Sequence, residues 1–172
     1  MSAVARPRSD DPELQPEPAP KRMALVASKG TLDQAYPPLI LATTAASMGW
    51  KVGIFLTFSG LDILHEKKHR KLKVPPLANP AMPVKVPNLV GAMPGMTAMA
   101  TRMMKGWMKK ANMPDLPQFI DMARGLGVKF YACSTTMGVM GIDEDDLIQG
   151  TEIAGAAAFL DFAAGSDIHM FV

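Results

Sequence analysis

Two short apolar runs fix the architecture before any other feature does. RMALVAS, from Arg22, and KVGIFLTF, Lys51–Phe58, bracket a segment with helical patterning. Both runs are mainly apolar and do not alternate, as strands buried on two faces do not. A strand–helix–strand unit of about 35 residues holds its strands parallel, with a right-handed crossover. Thr31 and Gln34 match the S/T-x-x-E/Q capping box at the helix start. Gly49 is placed to end the helix. Pro37 and Pro38 fall inside it, which calls for a late first turn or a kink. The SKGT turn, Ser28–Thr31, has the position of a nucleotide loop. It contains neither G-x-x-x-x-G-K-[ST] nor G-x-G-x-x-G, so a turn followed by a cap is the preferred reading.

The pattern resumes near residue 116. LPQFIDMARGLG puts Leu116, Phe119, Ile120 and Ala123 on one helical face, and Gly125 or Gly127 ends it. VKFYAC is a third strand, and STTMGVMG a short helix or turn. Asp143 in DEDDLI is placed as an N-cap. TEIAGAAAFLDFAAGS reads as one helix opened by Thr151, and DIHMFV as a fourth strand. The order predicts an α/β fold: a small, mainly parallel sheet with helices on both faces, in flavodoxin-like layering. Residues 21–172 form a single domain. Residues 1–20 carry five prolines, mixed charge and almost no large apolar side chain, and are expected to be a disordered tail. That N-terminus has no apolar stretch of the signal-peptide type, and no run reaches the roughly 20 apolar residues of a membrane span. A cytoplasmic protein is the default expectation.

An insertion, about residues 65–116, interrupts the alternation. It carries Lys67, Lys68, Arg70, Lys71, Lys73, Lys85, Arg102, Lys105, Lys109 and Lys110 against only Glu66 and Asp115. The net charge of +2 for the whole chain hides this basic block. Pro75–Pro94 is too rich in proline for a regular element. GMTAMATRMMKGWMKKAN fits a helix with Met96, Met99, Ala100, Met103 and Trp107 along one face and Arg102, Lys105 and Lys109 along another. Three readings are open for it: packing on the domain or a sister subunit, docking of partner proteins on an adaptable Met surface, or contact with an anionic membrane surface. Nucleic acid is disfavoured, because interleaved stacking aromatics are nearly absent. His65 and His69 lack a third ligand and read as solvated rather than metal-binding.

Cys133 is the one cysteine, so the chain has no internal disulfide and expects a reducing compartment. It lies at the carboxyl end of a parallel strand, just before a helix start. That rim is where open α/β sheets bind ligands, and a helix N-terminus favours the thiolate. Ser134, Thr135 and Thr136 add donors around it. A buried, inert cysteine is the competing reading. No adjacent catalytic base points to a thiol hydrolase, and His169 sits inside the last strand, where packing is its expected role.

RMALVASKGTLDQAYPPLILATTAASMGWKVGIFLTFSGLDIL, the Met-rich stretch running into FYACSTTMGVMGIDEDDLI, and AGAAAFLDFAAGSDIHMFV resemble the DsrE/DsrF-like sulfur-relay family over residues 22–172. They are similar to its larger subgroup with a Met-rich insertion. That subgroup is often labelled peroxiredoxin-like, although no peroxidatic motif is present. The resemblance implies a DsrE-like sheet and a cysteine, here Cys133, that carries sulfur as a persulfide or thiosulfonate. It implies no separate cofactor and no metal, and a carrier or sulfurtransferase rather than a multiple-turnover enzyme. It also implies homo-oligomers and protein partners such as a TusA-like carrier and a rhodanese. Ser28, Lys29 and Gly30 are expected at the same rim as pocket residues, with Ser134 and Thr135. Met96, Met99, Met103, Trp107, Arg102, Lys105 and Lys109 are the expected docking face. The alternative is an oligomeric binding module with a structural cysteine, associated with a membrane surface through the basic helix.

Overall fold

The computed structural model describes residues 19–75 and 95–172. The expected tail lies outside them except for its last two residues, as does 76–94 of the proline-rich stretch. The elements are β1 (Arg22–Ala27), α1 (Leu32–Ser47), β2 (Lys51–Leu56), α2 (Met96–Lys110), α3 (Leu116–Gly125), β3 (Lys129–Cys133), α4 (Ser134–Met140), β4 (Thr151–Ala154), α5 (Ala156–Ala164) and β5 (Ile168–Phe171). Short 3-10 turns at Phe58–Ile63 and His69–Lys71 follow β2, and another at Glu144–Asp146 precedes β4. The five strands are parallel in the order β4-β3-β2-β1-β5.

One strand was not anticipated. Thr151–Ala154 pairs with Phe130–Cys133 instead of opening a helix. Gly150, at φ 80°, turns the chain into β4, and extended Gly155 (φ −75°, ψ 164°) separates it from α5. Thr151 and Ile153 are β-branched and fit the pleat. The helix-forming alanines that follow masked this boundary.

Right-handed crossovers explain the layers. The chain steps β1→β2→β3→β4 in one direction, which places α1 and α3 on one face. The return to β5 places α5 on the other. Leu25, Ile54, Leu56, Phe130 and Ala132 pack with Leu39, Phe119 and Ile120 on the first face. Alternate positions Ala24, Phe55, Tyr131 and Cys133 pack with Phe159 and Ala163 on the second. Phe55 and Phe159 stack at 4.8 Å. The nine-residue α5 is the one helix on this second face among the described residues, and Leu160 and Phe171 stay 64% and 72% exposed there.

Three local expectations change. The capping box forms at Asp115–Gln118, opening α3, and not at Thr31–Gln34. The Gln34 amide turns to the Asp33 carboxylate (3.3 Å), and the Thr31 hydroxyl is buried without a partner. Met104 and Met108 of α2 pack on the core, while Met99 and Trp107 are 59% and 44% exposed. On the same buried side, Thr101 accepts the Val74 N–H at 3.1 Å. His65 and His69 are buried rather than solvated: His69 Nδ1 donates to the His65 carbonyl at 2.9 Å.

Candidate functional site

Cys133 closes β3 and is at once the N-cap of α4. The first N–H groups of a helix have no partner inside it. Those of Thr135 and Thr136 lie near the sulfur, as do the hydroxyls of Thr136 and Thr57, and all four favour its anion. Thr57 arrives from the end of β2, where the register pairs Leu56 with Ala132. The two hydroxyls meet at 2.9 Å, and the Phe58 N–H donates to Thr136 Oγ1 at 3.3 Å. Adjacent strand ends thus supply a polar cradle for one sulfur atom.

Two effects oppose each other at that sulfur. Burial pushes the Cys133 thiol up, since a charge is costly where water is scarce. The donors from Thr136, Thr57 and Thr135 outweigh it and hold the thiol below its ordinary range. Such a thiolate adds stability above the unfolded thiol pKa and loses it as pH falls through the lowered folded value. Alkylation by iodoacetamide should therefore reach half its plateau rate at a lower pH than a free thiol does. In Thr136→Val, burial remains and its hydroxyl donor is gone, so the midpoint should move upward; an unmoved midpoint would refute the role of that hydroxyl.

Of the expected pocket residues, Thr135 is at the sulfur and Ser134 is its exposed neighbour. Ser28 and Gly30 serve the site indirectly. Gly30 N–H donates to Ser59 Oγ (3.2 Å), Ser59 Oγ donates to the Ser28 carbonyl (3.1 Å), and Gly60 N–H donates to the same carbonyl (3.2 Å). These bonds brace the turn that follows Thr57. A Cβ on Gly60 would stand 2.3 Å from the Ala27 carbonyl oxygen, so the close approach needs glycine. Lys29 is exposed on that loop. Thr57 was missed; its signal is the parallel register, which sets it beside Cys133. Met96, Met99, Met103, Trp107, Arg102, Lys105 and Lys109 lie on α2, whose packing residues join the core of the opposite sheet face. Among the described residues no group of three or more His, Cys, Asp or Glu could hold a metal, and no helix is long and apolar enough to cross a membrane.

Residues 19–171 match the DsrE/DsrF/DrsH-like family. The chain is 42% identical over 158 residues to the sulfur carrier protein DsrE2 of Allochromatium vinosum, covering 88% of this chain and 98% of that protein. It is 32% identical over 155 residues to YrkE of Bacillus subtilis, covering 88% and 97%. Among solved structures, the ychN protein of E. coli shares the fold at a TM-score of 0.54 and 13% identity, covering 88% of this chain and 99% of that one.

Proposed function

This chain belongs to the DsrE/DsrF/DrsH-like family, and on that premise we propose that it carries sulfur on Cys133 between partner proteins. The observation that carries the reading is the place of Cys133, a thiol at the carboxyl rim of the sheet that caps α4 beside the paired Thr57 and Thr136 hydroxyls. The 42% identity to a sulfur carrier supports the same role.

The transfer is an exchange at sulfur. The Cys133 thiolate attacks the outer sulfur of a donor persulfide, R–S–SH. The S–S bond of the donor breaks, R–S⁻ leaves with the electron pair, and Cys133–S–SH forms. Its proton is lost to water, and the cradle N–H and O–H groups hold the resulting anion. An acceptor thiolate then attacks the terminal sulfur of the protonated persulfide, and the Cys133 thiolate returns. No net oxidation occurs in either step, and thiol–disulfide exchange is the chemical model. The protein acts as a stoichiometric carrier without a separate cofactor. A TusA-like carrier and a rhodanese are the partners that the resemblance implies. A free thiol of this kind persists most naturally in a reducing compartment such as the cytoplasm. The test is mass spectrometry after exposure to polysulfide, with an adduct of one sulfur atom on Cys133 as the expected result.

The exposed second sheet face supports self-association. Leu160 and Phe171 leave apolar surface uncovered on the face that carries α5. Sedimentation of the native protein should report an oligomer, and Leu160→Asp with Phe171→Asp should shift it to monomer. A native monomer at micromolar concentration would refute this assembly. The exposure of Met99 and Trp107 beside Arg102, Lys105 and Lys109 supports α2 as the surface that meets partner proteins.

A further inference from the structure

A cavity of about 760 Å³ lies beneath the C-terminal turns of α2. That size falls within the roughly 300–1,000 Å³ of small-molecule sites. Its walls come from four separate segments. Leu32 and Tyr36 belong to α1, Arg70 to the 3-10 turn after β2, Lys105, Met108 and Lys109 to α2, and Leu116 to α3. Met113 and Pro114 complete the wall where α2 passes into α3.

The lining divides into two chemistries. Leu32, Tyr36 and Leu116 are buried, and Met108 and Met113 pack against the core, so the floor is apolar. The Tyr36 hydroxyl is spent on the Pro114 carbonyl at 3.1 Å. Burial first, and then the Asp115 carboxylate, push that phenol up, so it stays uncharged. Arg70, Lys105 and Lys109 are exposed at the lining and bring three cations. Asp115 is the sole carboxylate residue in the lining, and it accepts the Gln118 N–H at 3.0 Å as the cap of α3. None of the three cations is ion-paired among the described residues. Residues 76–94, the rest of the insertion, contain no Asp or Glu. Positive charge is thus left over beside an apolar floor.

We infer that this cavity binds a small amphiphilic anion, a carboxylate, sulfonate or phosphate ester on an apolar stem. Arg70 presents a planar fork suited to an oxyanion, and Lys105 and Lys109 add point charges. The stem rests on Leu32, Met108 and Leu116. The bound molecule bridges α2 to the domain, because its cationic contacts come from both. This site is on the sheet face opposite Cys133 and does not depend on sulfur chemistry.

Anilinonaphthalene sulfonate serves as the probe on the full chain, with decanoate and decanol as competitors. Decanoate should displace it at concentrations at least about tenfold lower than decanol, because a charge-assisted contact is worth about a factor of ten or more. Arg70→Glu and Lys105→Glu should each weaken probe binding by about tenfold for the same reason. Both side chains are exposed, so neither change threatens the fold, and circular dichroism checks this. Absent probe binding, equal displacement by decanol, or unchanged affinity in either variant would each overturn the assignment.

Discussion

Native protein exposed to polysulfide should gain the mass of one sulfur atom, and Cys133→Ser should gain nothing. The expected loss is complete, since the chain holds no second cysteine to take the adduct. Serine keeps the size and the hydrogen-bond acceptor that Thr136, Thr57 and Thr135 address. Its hydroxyl does not ionise near neutral pH, so no nucleophile remains. The variant therefore separates chemistry from folding: its thermal transition should stay close to native while loading vanishes. The opposite result would also be clear. A native thiol that stays unmodified and resists alkylation would mark Cys133 as a packing residue, consistent with its burial at 7% exposure. The lowered pKa predicts against that, because a buried, inert thiol without donors is held above its ordinary range.

Phe130→Ala should cost about 3–5 kcal/mol of stability, a large share of the roughly 5–15 kcal/mol that holds a domain together. Phe130 is 1% exposed and lies in β3 between Ile54 and Thr151. Truncation leaves a void between the sheet and its covering helices, and close-packed neighbours relax only in part. Urea titration reads the effect as a lower midpoint with an unchanged slope. A midpoint within experimental error of native would contradict the packing. Because Cys133 closes the same strand, the alkylation midpoint of the folded variant also tests how firmly β3 presents the thiol.

Much of this arrangement is legible in the residues. RMALVA, KVGIFL and KFYAC are continuous apolar or β-branched runs because each strand is covered on both faces, and Cys133 falls at a strand end by position alone. TEIA is not legible in that way. It has four residues, it sits at the sheet edge, and an alanine-rich helix follows within two positions. The buried side of α2 was ambiguous for another reason. Methionines at 96, 99, 103, 104 and 108 spread over about half of the helix circumference, so periodicity offers two adjacent stripes; Met104 and Met108 pack on the core, on the side where Thr101 accepts the Val74 N–H. Thr57 lies far from Cys133 in sequence, and only the pairing of β2 with β3 brings them together.

The strand order has a kinetic consequence. β5 lies beside β1, and the Arg22 N–H to Asp167 bond at 2.7 Å spans 145 positions of sequence. Val172 N–H likewise reaches the Val26 carbonyl at 2.8 Å. Contacts of such separation form slowly, since the loop entropy must be met before they add stability. During synthesis the edge of β1 has no partner until residues 168–171 emerge. In that interval it is open to pairing with another chain. The last residues of the sheet to be made are therefore its guard against misassembly.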